Sequence, residues 1–313
     1  MQVKPIVIGN TQVKNNIFLA PMAGYTDYAF RKVALEEGYG LAFTELVSAK
    51  GLVYGGGNTA ELLYSGNDLS LTGAQIFGAD AYYMRTACES KELQPFNIVD
   101  INMGCPVPKV YKNGEGSALL TDIKKAENLI KECVKSGKNI TVKIRTGQKY
   151  GDDIATDYAI MAEQAGAKLI TVHGRVREAY YSGEPDYNAI YKAKQAVKIP
   201  VIANGGIFTK EDAENMLDRT GADGVMLARG AIANVFLVSE LLNSNPTKTL
   251  KTFVLEHLDL MSKMYKGKRS ALEFRKFLPY YLKGRVGLKD LKIKIQSSES
   301  VDEIKSIIEQ SNL

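Results

Sequence analysis

Cys105 is the residue whose type and setting most directly suggest chemistry. It lies in the stretch DINMGCP (residues 100–106), directly after an apolar run that is typical of a strand covered on both faces. Pro106 cannot continue a sheet ladder, so Cys105 is predicted in a loop at the carboxyl end of that strand. A free thiol has a pKa of about 8.5, so it is mostly protonated at pH 7 and can act as an acid. An isolated free cysteine is more often a small buried hydrophobe, so the role of Cys105 depends on its surroundings.

Polar side chains recur where the other predicted strands end. A charged group in a buried strand is costly unless it is paired, so Lys143 requires a partner, and a salt bridge would suffice. His173, one of two histidines in the chain, could likewise make only a structural hydrogen bond. Eight such residues at corresponding positions favour a functional pocket instead. They are Gln75, Asn102, Lys143, Arg145, His173, Arg175, Asn204 and Arg229.

Two glycine-containing segments near the end of this series predict a phosphate site. They are residues 204–206 (NGG) and residues 228–231 (ARGA). Glycine lets the backbone approach an oxyanion, a helix start at Gly230 would offer free N–H groups, and Arg229 supplies positive charge. In α/β barrels the loops after strands seven and eight often bind phosphate.

These residues require a repeating framework, and the sequence contains one. Eight apolar runs end 24 to 41 residues apart, which is close to the length of one strand plus one helix. Eight such units indicate a closed (β/α)8 TIM barrel, whose active site lies at the carboxyl ends of its strands. The strand ends are expected near Pro21, Glu45, Gln75, Asn102, Lys143, His173, Asn204 and Arg229.

Further elements surround this repeat. Residues 6–13 are predicted as a β-hairpin that plugs the bottom of the barrel. Helices are expected after Asp27, after Asp80, from Thr121 towards Gly137, around residues 154–165, and from Thr209 through Arg219. Cys88 and Cys133 fall within two of these helices and are interpreted as core residues. The segment from Met103 to Leu119 is unusually long for a connection, so we expect an active-site loop there.

Composition bounds the class of protein. The chain has 313 residues, of which 45% are hydrophobic and 24% charged, as in ordinary globular proteins. No apolar run approaches the roughly 18 residues of a membrane span, and the first residues do not resemble a secretory signal. Three widely spaced cysteines indicate neither a disulfide framework nor a metal site. We therefore expect a cytoplasmic, metal-free monomer that does not bind membranes.

Charge is divided unevenly along the chain. Residues 247–313 contain 14 Lys+Arg and 8 Asp+Glu, a net of +6, whereas residues 1–246 have a net charge of −1. The excess is densest in residues 263–294, with 11 basic and 2 acidic side chains. Such asymmetry indicates a polyanionic partner, although a solvated lysine-rich surface would have the same composition. We expect a catalytic barrel over residues 1–246 and a helical domain over residues 247–313.

Taken in order, the motifs APMAGYTD, AQIFG, DINMGCP, VKIRTG, VHGR, ANGGI and ARGA resemble the tRNA-dihydrouridine synthase family of the bacterial type. The resemblance runs from residue 18 to about residue 233, and MGCP is its most specific element. The later segment FRK…YYLKG (residues 274–284) is similar to the helical RNA-binding domain of that family.

The resemblance implies an FMN enzyme that reduces specific uridines of tRNA to 5,6-dihydrouridine. NADPH or NADH would reduce the flavin, flavin N5 would give hydride to C6 of uracil, and Cys105 would protonate C5. The residues implied at the flavin are Pro21, Met22, Ala23, Gln75, Lys143, His173, Asn204, Gly205, Gly206, Ala228 and Arg229. RNA contacts are expected at Asn102, Lys109, Arg145 and Arg175, and at Arg275, Lys276, Lys283 and Arg285, which we call the C-terminal basic set.

Two positions depart from the family pattern. The family often has Asp where this chain has Gly206, and Glu115 is not the residue expected in the loop after Cys105. Two other functions fit parts of the sequence. A flavin barrel acting on a free pyrimidine, similar to dihydroorotate dehydrogenases, explains the polar rim but not the basic segment. An RNA-binding protein without turnover explains the basic segment but not the complete rim.

Overall fold

Eight parallel strands form a closed barrel, as the repeat predicted. This computed structural model describes residues 2–56, 59, 61–66 and 69–313. The strands pair in sequence order, and the last strand closes the barrel against the first. They are β3 (Ile17–Leu19), β4 (Leu41–Ser48), β5 (Thr72–Phe77), β6 (Ile98–Met103), β7 (Asn139–Arg145), β8 (Leu169–His173), β9 (Val201–Asn204) and β10 (Gly224–Leu227).

The predicted hairpin plugs the barrel at the amino ends of the strands. Strands β1 (Ile6–Ile8) and β2 (Thr11–Val13) pair antiparallel, and Asn10 at the turn exchanges hydrogen bonds with Asn139 at the start of β7. The apolar side chains of the hairpin join the inward-facing side chains of the strands in one buried cluster. That cluster fills the lower barrel, so the open end is the carboxyl end.

Helices cover the outside of the barrel, and short polar side chains begin several of them. Asp27 caps the first helix by accepting from the backbone N–H of Phe30, and Thr209 and Asp212 form the predicted capping box. The helices are Tyr28–Glu36, Ala49–Val53, Ala81–Cys88, Pro108–Lys112, Ile123–Val134, Ala155–Gln164, Tyr187–Ala196, Lys210–Thr220, Arg229–Ala233 and Leu237–Leu241.

One predicted helix start is wrong by a residue. Asp122, not Thr121, caps the helix Ile123–Val134, because its carboxylate accepts from the backbone N–H of Lys125. Thr121 instead donates its hydroxyl to the carbonyl of Ala118. Cys88 and Cys133 are almost completely buried within their helices, which confirms their interpretation as core residues.

The long connection after β6 has short helical elements of its own. It contains the helix Pro108–Lys112 and a 3₁₀ turn, Gly116–Thr121. The turn packs back on the start of the segment, since the backbone N–H of Ser117 and its hydroxyl both donate to the carbonyl of Cys105. The segment therefore folds around Cys105.

The C-terminal region consists of helices that pack beside the barrel mouth. They are Leu250–Met264, Lys268–Arg275, Leu278–Tyr281, Lys289–Ser297 and Val301–Glu309. Phe277 stacks on Phe30 of the first barrel helix with ring centroids 5.3 Å apart, and Tyr25 contacts Tyr280 at 5.8 Å. Phe30 and Phe277 are almost fully buried, so the barrel and the helices share an apolar contact at this point.

Candidate active site

A cavity of about 700 Å³ opens at the carboxyl ends of the barrel strands. Most of the residues selected from the sequence line it together, although they come from six different strand ends. Those lining it are Pro21, Met22, Ala23, Asn102, Cys105, Lys143, Arg145, His173, Arg175, Asn204, Gly205, Gly206, Ala228 and Arg229. The closed barrel causes this convergence, because parallel strands bring their carboxyl ends to one rim.

The remaining selected residues lie elsewhere. Gln75 is fully buried behind the cavity wall, with its amide bonded to Asp100 and Asn102. Lys109 is exposed on the helix Pro108–Lys112. Within the C-terminal basic set, Lys276 approaches the cavity wall, with its Nζ 5.9 Å from the ring centroid of Tyr25.

The turn that carries Cys105 is held from both sides. Asn102 Oδ1 accepts from the backbone N–H groups of Gly104 and Cys105, at 3.2 and 2.9 Å. Arg145 Nε donates to the carbonyl of Gly104 at 2.8 Å. Burial raises the pKa of the Cys105 thiol above its ordinary value, against smaller opposing effects of the Val107 N–H and the Arg145 charge. The thiol is therefore held in its protonated form at neutral pH.

Lys143 is a cation in a desolvated position. Burial, together with repulsion from Arg145, lowers the pKa of Lys143 to about 8, and the carboxylate of Asp100 opposes this shift. Its Nζ donates to Asn204 Oδ1 at 2.9 Å, and the Asn204 amide donates in turn to the carbonyl of Met226. The neutral amide of Asn204 stabilises the buried charge of Lys143 less well than a carboxylate would.

Further positive charges lie on the same side of the cavity. Arg145 and Arg175 direct their guanidinium groups at backbone carbonyls, those of Gly104, Val176 and Tyr180 for Arg145 and of Ser182 and Gly183 for Arg175. Burial and the surrounding cations hold the pKa of His173 well below its ordinary value, so its imidazole is neutral at pH 7. Together with Lys143, the charges of Arg145 and Arg175 form an electropositive wall suited to an anionic or electron-rich ligand.

The predicted phosphate loops lie together at one end of this wall. Gly205 and Gly206 have φ angles of +115° and +72°, and a Cβ on Gly205 would lie 2.8 Å from His173 Cδ2. The Arg229 guanidinium stacks over the ring of Tyr181, 4.6 Å from its centroid. The helix here begins at Arg229 rather than at Gly230 as expected. Gly230 is needed for packing, because a Cβ there would lie 2.1 Å from the carbonyl of Ile207.

Tyr181 and Glu45 are cavity residues that sequence reasoning missed although each had a visible signal. Tyr181 lies between the guanidinium groups of Arg145 and Arg229, and the neighbouring Tyr180 has a φ of +48°. Two adjacent tyrosines shortly after a strand-end His-Gly-Arg were the available signal. Glu45 is almost buried in the wall, where its carboxylate accepts from the backbone N–H of Gly24 and desolvation raises its pKa. Its signal was a carboxylate inside an otherwise apolar strand.

Within the described part of the chain, no helix is long and apolar enough to cross a membrane. The same residues contain no group of three or more His, Cys, Asp and Glu side chains that could hold a metal ion.

Comparison with solved structures shows the fold alone. Histamine dehydrogenase from Rhizobium sp. 4-9 is 13% identical with a TM-score of 0.59, over 82% of this chain and 50% of that one. A variant of NCR from Zymomonas mobilis is 17% identical with a TM-score of 0.55, over 81% of this chain and 96% of that one.

Sequence comparison is more specific. Residues 18–312 match the model of the dihydrouridine synthase (Dus) family. tRNA-dihydrouridine synthase B of Pasteurella multocida is 35% identical over 287 residues, which are 88% of this chain and 86% of that protein. Probable tRNA-dihydrouridine synthase 1 of Synechocystis sp. is 35% identical over 98% of this chain and 89% of its own length. The chain therefore belongs to the dihydrouridine synthase family.

Proposed function

We propose that this protein reduces uridine in tRNA to 5,6-dihydrouridine, using bound FMN and NADPH or NADH as reductant. The observation that carries the proposal is a protonated thiol, Cys105, that shares one cavity with a wall of cations in a chain of this family. The choice of tRNA as substrate follows from the names of its relatives, and the reaction type is supported by the residues that line the cavity.

The residues present fit FMN. Arg229 and the loops at residues 204–206 and 228–231 would hold the phosphate, because a cation and glycine backbone meet there. Lys143 would face the ring system, since it is a desolvated cation whose hydrogen bond is to a neutral amide. Pro21, Met22 and Ala23 would lie along the ring, and neutral His173 beside it. Gln75 would support this arrangement from behind Asn102.

When bound, FMN reduced by NADPH or NADH would supply the hydride that adds to C6 of uracil. Cys105 holds the proton that C5 then requires, and burial keeps that proton on sulfur at neutral pH. Negative charge develops on the pyrimidine carbonyl oxygens during the addition, and the positive charges of Lys143, Arg145 and Arg175 in the cavity wall would offset it. Asn102 fixes the Cys105 backbone and so the height of the thiol in the cavity.

A base in folded RNA must leave its stack to reach this cavity. The C-terminal basic set would bind phosphates beside the mouth, where Tyr25 and Tyr280 also line the cavity. We accordingly assign catalysis to a barrel domain of residues 1–246 and RNA binding to a helical domain of residues 247–313. This boundary falls between the helices Leu237–Leu241 and Leu250–Met264.

The test is product formation on matched substrates. The purified protein is incubated with NADPH and transcribed, unmodified tRNA, and dihydrouridine is quantified by mass spectrometry of the nucleosides. We expect dihydrouridine in tRNA and none from free uridine or uracil. Turnover of the free pyrimidine alone would replace the proposal with the activity of a free-pyrimidine reductase. Binding of tRNA without any product would replace it with an RNA-binding role.

A further inference from the structure

A chain of hydrogen bonds runs beneath the Cys105 turn, through residues that are almost completely buried. Thr141 Oγ1 donates to Asp100 Oδ1 at 2.6 Å, and Gln75 Nε2 donates to Asp100 Oδ2 at 2.7 Å. Asn102 Nδ2 donates to Gln75 Oε1 at 2.8 Å, and Asn102 Oδ1 accepts from Gly104 and Cys105. Asp100 is 1% exposed and Gln75 is 0% exposed, so solvent cannot replace these bonds.

The two ends of this chain have opposite requirements. The backbone N–H groups of the turn can only donate, and an ionised carboxylate can only accept. Each amide between them can present either its oxygen or its nitrogen to a given neighbour. Every hydrogen bond in this series has a donor and an acceptor when the Gln75 nitrogen faces Asp100 and the Asn102 oxygen faces the backbone of the Cys105 turn. An amide at position 100 could present either its oxygen or its nitrogen to Gln75, so it would no longer enforce one direction. In the opposite direction the Asn102 NH2 group would face the two N–H groups of the turn.

We propose that Asp100 is a positioning residue, which orients the Gln75 and Asn102 amides and thereby fixes the backbone of the Cys105 turn. Asp100 does not line the cavity, so its hydrogen bonds reach the turn through the other two residues. The consequence for proton delivery rests on the proposed function. The positioning of the turn does not, because it involves only residues of this protein.

The test measures protection of the Cys105 amide directly. The chain has three cysteines, so protein labelled with ¹⁵N-cysteine gives three backbone amide signals, and Cys105→Ala identifies one of them. Cys88 and Cys133 lie in outer helices and serve as internal references. Hydrogen exchange is then compared between wild type, Asp100→Asn, and the double variant Asp100→Asn with Asn102→Asp.

The double variant exchanges the two side-chain types while the composition and charge stay the same. Its carboxylate, now at position 102, would accept hydrogen bonds from the turn and from Gln75. Both oxygens of a carboxylate are acceptors, so neither has to be turned towards a particular neighbour. Its amide, now at position 100, would donate to Gln75 and accept from Thr141. Every link to the turn would again be satisfied. A matched control is Thr171→Val, because Thr171 is buried on β8 and its hydroxyl has no hydrogen-bond partner among the described residues.

We expect the Cys105 amide to exchange about tenfold faster in Asp100→Asn, the factor that corresponds to losing one hydrogen bond of ordinary strength. The double variant should return to within about threefold of wild type, and Thr171→Val should match wild type. Unchanged exchange in Asp100→Asn, or a double variant as fast as the single one, would overturn the inference. If the single variant does not fold, the double variant still decides, since an unprotected Cys105 amide there contradicts the proposal.

Neither flavin nor RNA takes part in this measurement. A protein that makes no dihydrouridine but shows this exchange pattern would refute the proposed function and leave the positioning role intact. An active enzyme with unchanged exchange would do the reverse.

Discussion

Replacing Lys143 should stabilise the flavin-free protein while it weakens cofactor binding. The pKa of Lys143 is lowered from 10.5 to about 8, mainly by burial. A shift of that size corresponds to about 3 kcal/mol of destabilisation when the lysine is charged. Lys143→Met removes this cost and loses the hydrogen bond to Asn204, which offsets about 1 kcal/mol. Solvent in the cavity screens part of the remainder, so we expect a net gain of about 1–2 kcal/mol at pH 7.

The sign of the pH dependence follows from the direction of the shift. Below the folded-state pKa of about 8, Lys143 is charged in both the folded and the unfolded protein, so the full cost is present. As pH rises from about 8 towards 10.5, the folded protein loses its proton first and the cost disappears. The advantage of Lys143→Met should therefore be larger at pH 7 than at pH 9.

The assay is urea unfolding of protein stripped of flavin, for wild type and Lys143→Met, at pH 7 and pH 9. Lys91→Met is the matched control, because the Lys91 side chain is 89% exposed and should contribute little. In parallel, flavin titration should show weaker binding to Lys143→Met only. A Lys143→Met protein that is less stable than wild type at both pH values would refute this reasoning.

Three further outcomes are expected. Arg229→Ala should weaken FMN binding but leave riboflavin binding nearly unchanged, because the guanidinium would pair with the phosphate; equal losses measured for both ligands by fluorescence titration would contradict this. Alanine at all four positions of the C-terminal basic set should weaken tRNA binding and flatten its dependence on salt, as measured by filter binding, without changing flavin content. Burial, with a smaller effect of the Lys276 charge, lowers the pKa of His257 to about 3. Below pH 6.5 the unfolded protein binds a proton at this histidine and the folded protein does not, so the free energy of unfolding falls with pH. Between pH 7 and pH 5, wild type should lose about 2 kcal/mol more than His257→Gln, as measured by urea unfolding.

The barrel was predictable because one local pattern is repeated. Each apolar run followed by a polar residue marks a strand end, and closure of the barrel brings those ends together whatever their separation in the sequence. That is why Asn102, Lys143 and Arg229 were selected correctly as cavity residues from their positions alone. Resemblance to the family added roles to these residues that position does not supply.

Side-chain direction was not predictable in the same way. Gln75 was expected at a strand end, yet it lies two residues before the end of β5 and is fully buried behind Asn102, where its amide donates to the buried carboxylate of Asp100. Tyr181 reaches the cavity from the loop after β8, where its ring lies between the guanidinium groups of Arg145 and Arg229. Both outcomes depend on contacts between segments that are distant in sequence, which periodicity does not encode.

The central claim is that Cys105 delivers a proton to the base after the flavin has been reduced. Stopped-flow absorbance separates the two half-reactions, first reduction of bound flavin by NADPH and then its reoxidation by unmodified tRNA. In Cys105→Ala, reduction by NADPH should proceed as in wild type, and reoxidation by tRNA should slow by roughly a hundred- to ten-thousandfold, the usual cost of losing a general acid. Reoxidation at the wild-type rate in Cys105→Ala would contradict the account.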